Sequence, residues 1–301
     1  MTGVAAPSSR MLSSIPANPG LMVAVARLLG HVDDLPPGAT GALHFGEHGV
    51  ILVESRRICW AISRGMRLRL TDILRNQSTP PVSRERVEEI YRACRESGTP
   101  IGEALVASGL ASPSGLKAAL YKHNSEAIAA LARAGAAPDQ FVRHTKTGHD
   151  PKYSFSACEM LAALGAFDDP ARAAAAQHEL GSVLVPETFG AAFVRSSAGA
   201  GSLVIAADRG CDVAVADLIE LCNWVSGLFD VARTCDSEIF AARASWGSNA
   251  GLVTWRVKDV GYVGLCASRA AAARLVSRLS ERATRTSGVL PVGARGGEGG
   301  T

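Results

Sequence analysis

Few residues in this chain have both the type and the spacing that chemistry needs. His44 and His48 are four apart, the spacing that places two zinc ligands on one helix face. They flank Gly46 and Gly49 in a strand–turn pattern instead, with no acidic or thiol partner at ligand spacing, so no metal site is expected. His144 and His149 fall in a basic, polar interval and read as solvated loop residues. Gly199-Ala200-Gly201 is a piece of the dinucleotide fingerprint, but Ser202-Leu203-Val204 after it is strand-like. The fingerprint needs strand, glycine loop and helix in succession, and a hairpin turn accounts for these glycines. No GxxxxGK[ST] phosphate loop and no GxSxG nucleophile turn occurs. Cys59 stands between Ile58 and Trp60, surroundings that favour an inert thiol. Asp230, Asp236 and Glu238 bracket a loop without paired-carboxylate spacing. The expectation is a non-enzyme with no cofactor.

Two groups remain. Arg56, Arg57, Arg64, Arg67 and Arg69 are five arginines in fourteen positions, a density that could grip phosphate. They spread over a strand, a turn and a helix start, with Trp60 the sole interleaved aromatic, so a solvated face is the simpler reading. No nucleic-acid partner is expected, and Arg64, Arg67 and Arg69 stand as the candidate anion site. The second group lies on a helix over 212–232. Val215, Leu218, Ile219, Cys222, Val225 and Phe229 form one apolar stripe, and Leu221, Trp224 and Leu228 form another. A helix covering one face of a sheet needs one stripe. The extra stripe asks for a further apolar contact, either with the first half of the chain or with a copy or partner. Leu221, Trp224 and Leu228 are therefore the candidate interface.

The elements that must position these residues follow from composition and periodicity. The chain has 301 residues, a formal net charge of +3, 47% hydrophobic and 20% charged residues. This length allows one large or two medium domains and excludes a disulfide miniprotein or a wholly disordered chain. The charge excess is too small for a nucleic-acid footprint. Seven cysteines, without a CxxC, read as reduced thiols. The longest uncharged run, from Met11 to Ala26, is shorter than a spanning helix and is interrupted by Pro16, Asn18 and Pro19. Those residues also break any signal-peptide core, so a cytoplasmic protein without membrane insertion is expected.

Residues 1–18 read as a disordered arm and 287–301 as a disordered tail. In 19–167 a helix through Leu21, Val25, Leu28 and Leu29 precedes a small antiparallel meander over 41–62. Short and long helices then alternate, at Leu70–Leu74, after Ser83, at Ile101–Val106, and after Ser112-Pro113, where Leu116, Leu120, His123 and Ile128 share a stripe. Leu70 and Ile101 begin the two copies of a degenerate 31-residue repeat, which predicts a small bundle. The interval 134–151 reads as a loop or irregular hairpin. Residues 171–282 read αββαβββα, with strands at 191–195, 202–207, 238–244, 252–257 and 262–267. The fold class is α+β, a meander with a helical bundle followed by a five-stranded antiparallel sheet with segregated helices.

Three resemblances attach to these segments. Gly41-Ala42-Leu43-His44-Phe45, Arg64-Gly65, Leu70-Thr71-Asp72-Ile73-Leu74 and Ile101-Gly102-Glu103-Ala104-Leu105-Val106-Ala107-Ser108-Gly109 resemble the PatA-N-terminal-like (PATAN, DUF4388) module of bacterial signalling proteins. Tyr153-Ser154-Phe155 to Leu164 looks like its closing segment. The element order of 171–282 is similar to the Roadblock/LC7 (profilin-like) fold. The first resemblance implies a protein–protein adaptor. The second implies a dimer that regulates or scaffolds a small Ras-like GTPase, using the central helix and an adjacent strand. Third, Ile101-Gly102-Glu103-Ala104-Leu105, Gly109, Leu116, Leu120 and His123 look like half of the cyclic-di-GMP-binding module of type II secretion ATPases. There Pro100, His123 and Thr71 depart from the nucleotide-contacting pattern.

Together these readings predict a cytoplasmic, non-enzymatic signalling adaptor that dimerises, with a small GTPase or a response-regulator pathway protein as partner. The alternative is a nucleotide (cyclic-di-GMP-like) sensor.

Overall fold

A computed structural model describes residues 19–66, 69–77, 83–97, 101–144, 151–166, 169–195, 201–208, 210–211, 213–232, 239–240 and 251–286. The expected arm and tail, Arg67, Asp212, Cys235, Asp236, Glu238 and most of the loops at 145–150 and 196–200 lie outside them. The chain is mixed helix and strand with antiparallel sheets, an α+β fold.

The first half opens with α1 (Pro19–Asp33), which buries Val25, Leu28, Leu29 and Val32. Strands β1 (Gly41–His44), β2 (Gly49–Glu54) and β3 (Arg57–Ser63) form the meander. Helices α2 (Leu70–Gln77), α3 (Arg84–Ser97), α4 (Ile101–Ala107) and α5 (Pro113–Arg133) follow as short and long pairs. The Ser112 hydroxyl accepts from the Gly115 amide at 3.0 Å with proline at the first helical position, so α5 starts where the sequence signals it.

One expectation needs correction. The interval read as a loop contains a strand, β4 (Gln140–Arg143), which pairs with β1 from Gly41↔Arg143 to His44↔Gln140. The sheet order is β3-β2-β1-β4. Four residues, of which three are exposed, carry little hydrophobic periodicity, and the pairing depends on a missing side chain across from them. A Cβ on Gly41 would stand 2.3 Å from the Val142 carbonyl oxygen.

Helix α6 (Ala157–Gly165) ends this half, and every one of its nine residues is buried. The second half contains α7 (Pro170–Val183), β5 (Thr188–Arg195), β6 (Ser202–Ala207), α8 (Val215–Ala232), β7 (Ile239–Phe240), β8 (Gly251–Val257), β9 (Val260–Cys266) and α9 (Arg269–Thr286). The sheet order is β6-β5-β9-β8-β7. The expected five full strands are corrected to four, plus a two-residue segment in which Ile239 and Phe240 pair with Trp255 and Thr254 at the edge.

The helices are not segregated to one face of this sheet. Ala192, Val194, Tyr262 and Cys266 share a cluster with α7 and α9. Ala191, Phe193, Val263 and Leu265, alternating with them, share a cluster with α6, α8 and the whole first half. Helix α6 packs against β6, α1, α5 and α8, so it is the layer between the two sheets. Its closest approach is at Gly165, where an added Cβ would overlap the Val204 carbonyl oxygen, and Leu203 also crowds the site.

A valine at Gly165 should therefore force α6 off β6 and cost about 3 kcal/mol, the upper range for overpacking. Alanine at Gly102 meets only the flexible end of Leu116 at 3.0 Å and should change stability by less than about 1 kcal/mol. Urea unfolding of both variants checks the contrast.

Candidate interaction face and the cleft beside it

Helix α8 starts at a long-range cap. The Val215 amide donates to Asp33 Oδ2 at 2.8 Å, so a carboxylate at the end of α1 satisfies a free amide at the positive end of α8. Val215, Leu218, Cys222 and Val225 are fully buried and Phe229 nearly so. At the far end of the helix, Arg195 Nη1 reaches both Asp230 carboxylate oxygens, at 2.7 and 2.9 Å. The Ser202 amide donates to Asn223 Oδ1 at 2.6 Å. These bonds hold α8 to the β5–β6 pair.

The second apolar stripe divides. Leu221 is completely buried, Leu228 is half-buried, and Trp224 is 45% exposed. The reason is that α1 and α6 also pack against α8. The further contact that the stripe called for comes partly from the first half of the same chain, and it stops short of Trp224. On α1, Val23 is 61% exposed, a position that falls off the buried stripe and carries no signal in the sequence. Counted from the Asp33–Val215 junction, Val23 and Trp224 lie roughly 15 and 14 Å along their helix axes. Exposed Arg27 on α1 and exposed Glu220 and Asp217 on α8 lie nearer that junction.

The arginine group does not gather. Arg64 pairs with Glu47 at 2.7 Å, both largely exposed, and Arg69 is exposed at the start of α2. Arg67 lies outside the described residues. Arg57 is a brace: its Nε donates to Ser154 Oγ at 2.9 Å, and its Nη2 to the Ser154 carbonyl and to Glu159 Oε2 at 2.7 Å. Glu159 also closes the Ser156 capping box of α6. Arg56 turns the other way, its Nη2 donating to the Asp33 carbonyl at 2.8 Å. Asp33, Arg56, Arg57, Ser156, Ala157 and Cys211 line a cleft of about 350 Å³ between the two halves. The roles of Asp33 and Arg56 had no marker in the sequence, because each depends on a partner far along the chain.

The remaining candidates are structural. His44 ends β1 and His48 sits in a one-turn 3₁₀ segment. Among the described residues no three His, Cys, Asp or Glu side chains gather as a metal site needs. Burial pushes the Cys59 thiol up to about 12 and Cys266 to about 11, and it raises Cys222 further. Cys158 donates to the Val213 carbonyl at 3.0 Å, and its thiol is raised by its hydrogen bond with Cys211 and by burial. Such thiols are poor nucleophiles. His123 is buried on α5 against Trp60, with ring centroids 4.2 Å apart, and neither ring nitrogen has a hydrogen-bond partner. Burial lowers its pKa to about 4.

No helix among the described residues is long and apolar enough to cross a membrane. No protein-family model, curated protein or solved structure matches this chain.

His123 is neutral in the fold and titrates near its ordinary value when unfolded. Its contribution to stability is complete above about pH 6.5 and is lost as the pH falls towards about 4. The loss should reach up to about 3 kcal/mol. A denaturant series at pH 4–7 should show a shallower fall for His123→Phe than for the wild type.

Proposed function

We propose that this chain is a non-enzymatic signalling adaptor, a PATAN/DUF4388-like module followed by a Roadblock/LC7-like module, that pairs with a second copy of itself through α8 and α1. Exposed Trp224 carries this reading. A tryptophan left 45% exposed on a helix whose other face is buried in the core is the kind of anchor that dominates protein interfaces. Val23 is a second exposed apolar residue, on α1, which packs against α8.

The occupant we favour is a second copy, because the face carries its own complement. Arg27 lies on α1, and Asp217 and Glu220 lie on α8, so a two-fold arrangement sets basic against acidic residues while Trp224 meets Val23. The order of helix, two strands, helix, strands and helix in the second half supports the Roadblock-like part of the reading. In this reading a small Ras-like GTPase or a response-regulator pathway protein docks on the assembled dimer. Any effect on GTP hydrolysis works by ordering the partner's switch loops.

Sedimentation of the purified full chain tests the pairing. The wild type should run as a dimer, and Trp224→Asp should weaken self-association roughly thirtyfold, the effect of losing one anchor. Its circular dichroism should stay unchanged, since Trp224 is outside the core. A monomeric wild type, or a Trp224→Asp protein that dimerises as before, overturns the proposal.

A further inference from the structure

We propose that the cleft between Asp33, Arg56 and the start of α6 binds a small organic phosphate, a phosphomonoester, and that Arg56 holds its phosphoryl group. This site is separate from the α1/α8 face and does not rest on the dimer.

The cleft has the size of a ligand site rather than of a lone ion. Its volume of about 350 Å³ lies within the range of small-molecule pockets. Its walls come from five places in the chain: the end of α1, Pro37 and Gly38 after it, the β2–β3 turn, the start of α6, and the residues just before α8. A molecule bound there touches both halves of the protein.

The charges in the wall are unequally satisfied. Arg57 is committed to Ser154 and Glu159. The Asp33 carboxylate accepts from the Val215 amide. Arg56 comes no closer than 4.0 Å to that carboxylate, too far for a hydrogen bond. Its Nη2 is held by a neutral carbonyl, and its Nε is buried without a partner, so a bound molecule would meet the outer guanidinium nitrogens. The Asp33 carboxylate pairs with this guanidinium only at 4.0 Å and is shared with the Val215 amide, which leaves Arg56 able to take a multi-oxygen acceptor at closer range. Ser156 and Ala157 bring the start of α6 to the same cleft, where Glu159 already closes the helix cap, so Arg56 is the group left to hold an anion.

The backbone gives an independent indication. Ser55 and Arg56 have φ of 50° and 64°, both in the left-handed region. The two-residue hairpin turn of this kind prefers Asn-Gly or Asp-Gly, and other residues there cost roughly 1–2 kcal/mol each. A serine and an arginine held against that preference, with the arginine facing a cavity, are a feature with a use beyond the turn.

The test uses the full chain. Adenosine 5′-monophosphate, inorganic phosphate and succinate are titrated separately by calorimetry and followed by thermal unfolding. Adenosine 5′-monophosphate should give saturable heat and a raised unfolding temperature, inorganic phosphate should bind more weakly, and succinate should not bind. Arg56→Gln should weaken the nucleotide roughly tenfold or more, the effect of one charge-assisted contact. Ser55→Asp, on the exposed side of the turn, should weaken it without disturbing the core, and Arg64→Gln should bind as the wild type does. Three results overturn the proposal: no saturable heat with either phosphate, binding of succinate alone, or Arg56→Gln and Ser55→Asp proteins that bind normally.

Discussion

Helix α6 has no wet side, and the rest of the molecule follows from covering it. A nine-residue helix that is apolar all round cannot lie on a surface. Sheet β5–β9 covers it from one side, and α1, α5 and α8 cover the rest. The contact with the sheet is so close that Gly165 has to be glycine. At the other end the single strongly polar residue, Glu159, is neutralised by Arg57 and spent on the helix cap. The Tyr121 hydroxyl adds a bond to the Glu159 carbonyl at 2.9 Å. A buried carboxylate is acceptable because all of these partners are in place.

Most of the element order was legible in the sequence. The Ser112-Pro113 start of α5, a helix read over 212–232 and found from Val215, and strands read at 202–207 and 252–257 follow from caps and periodicity, which are local signals. What was not legible depended on distance. Strand β4 forms because β1 offers an edge with a glycine in it, and nothing within Gln140–Arg143 says so. The closing segment of the first half is really the middle layer of the whole chain, because Gly165 finds Val204 across a separation that no window spans.

The candidate face shows the same division. Counting stripes on α8 marks more apolar surface than one sheet face needs, but spacing alone cannot share it between an internal neighbour and the solvent. The structure gives Leu221 to the core and leaves Trp224 outside. The arginine group reads in the sequence as a solvated face spread over three elements, and in the structure the adjacent Arg56 and Arg57 take different partners while Arg64 pairs locally at the surface.

The cap that Asp33 gives to Val215 bridges 182 positions of the chain. During synthesis α1 is therefore complete long before its last contact exists. Until β5 and β6 have left the ribosome, α6 has no sheet to cover it, and the nascent first half carries an open apolar wall. A chain of this kind depends on the later part to finish the earlier one, and the interval between them is when chaperones have surface to hold.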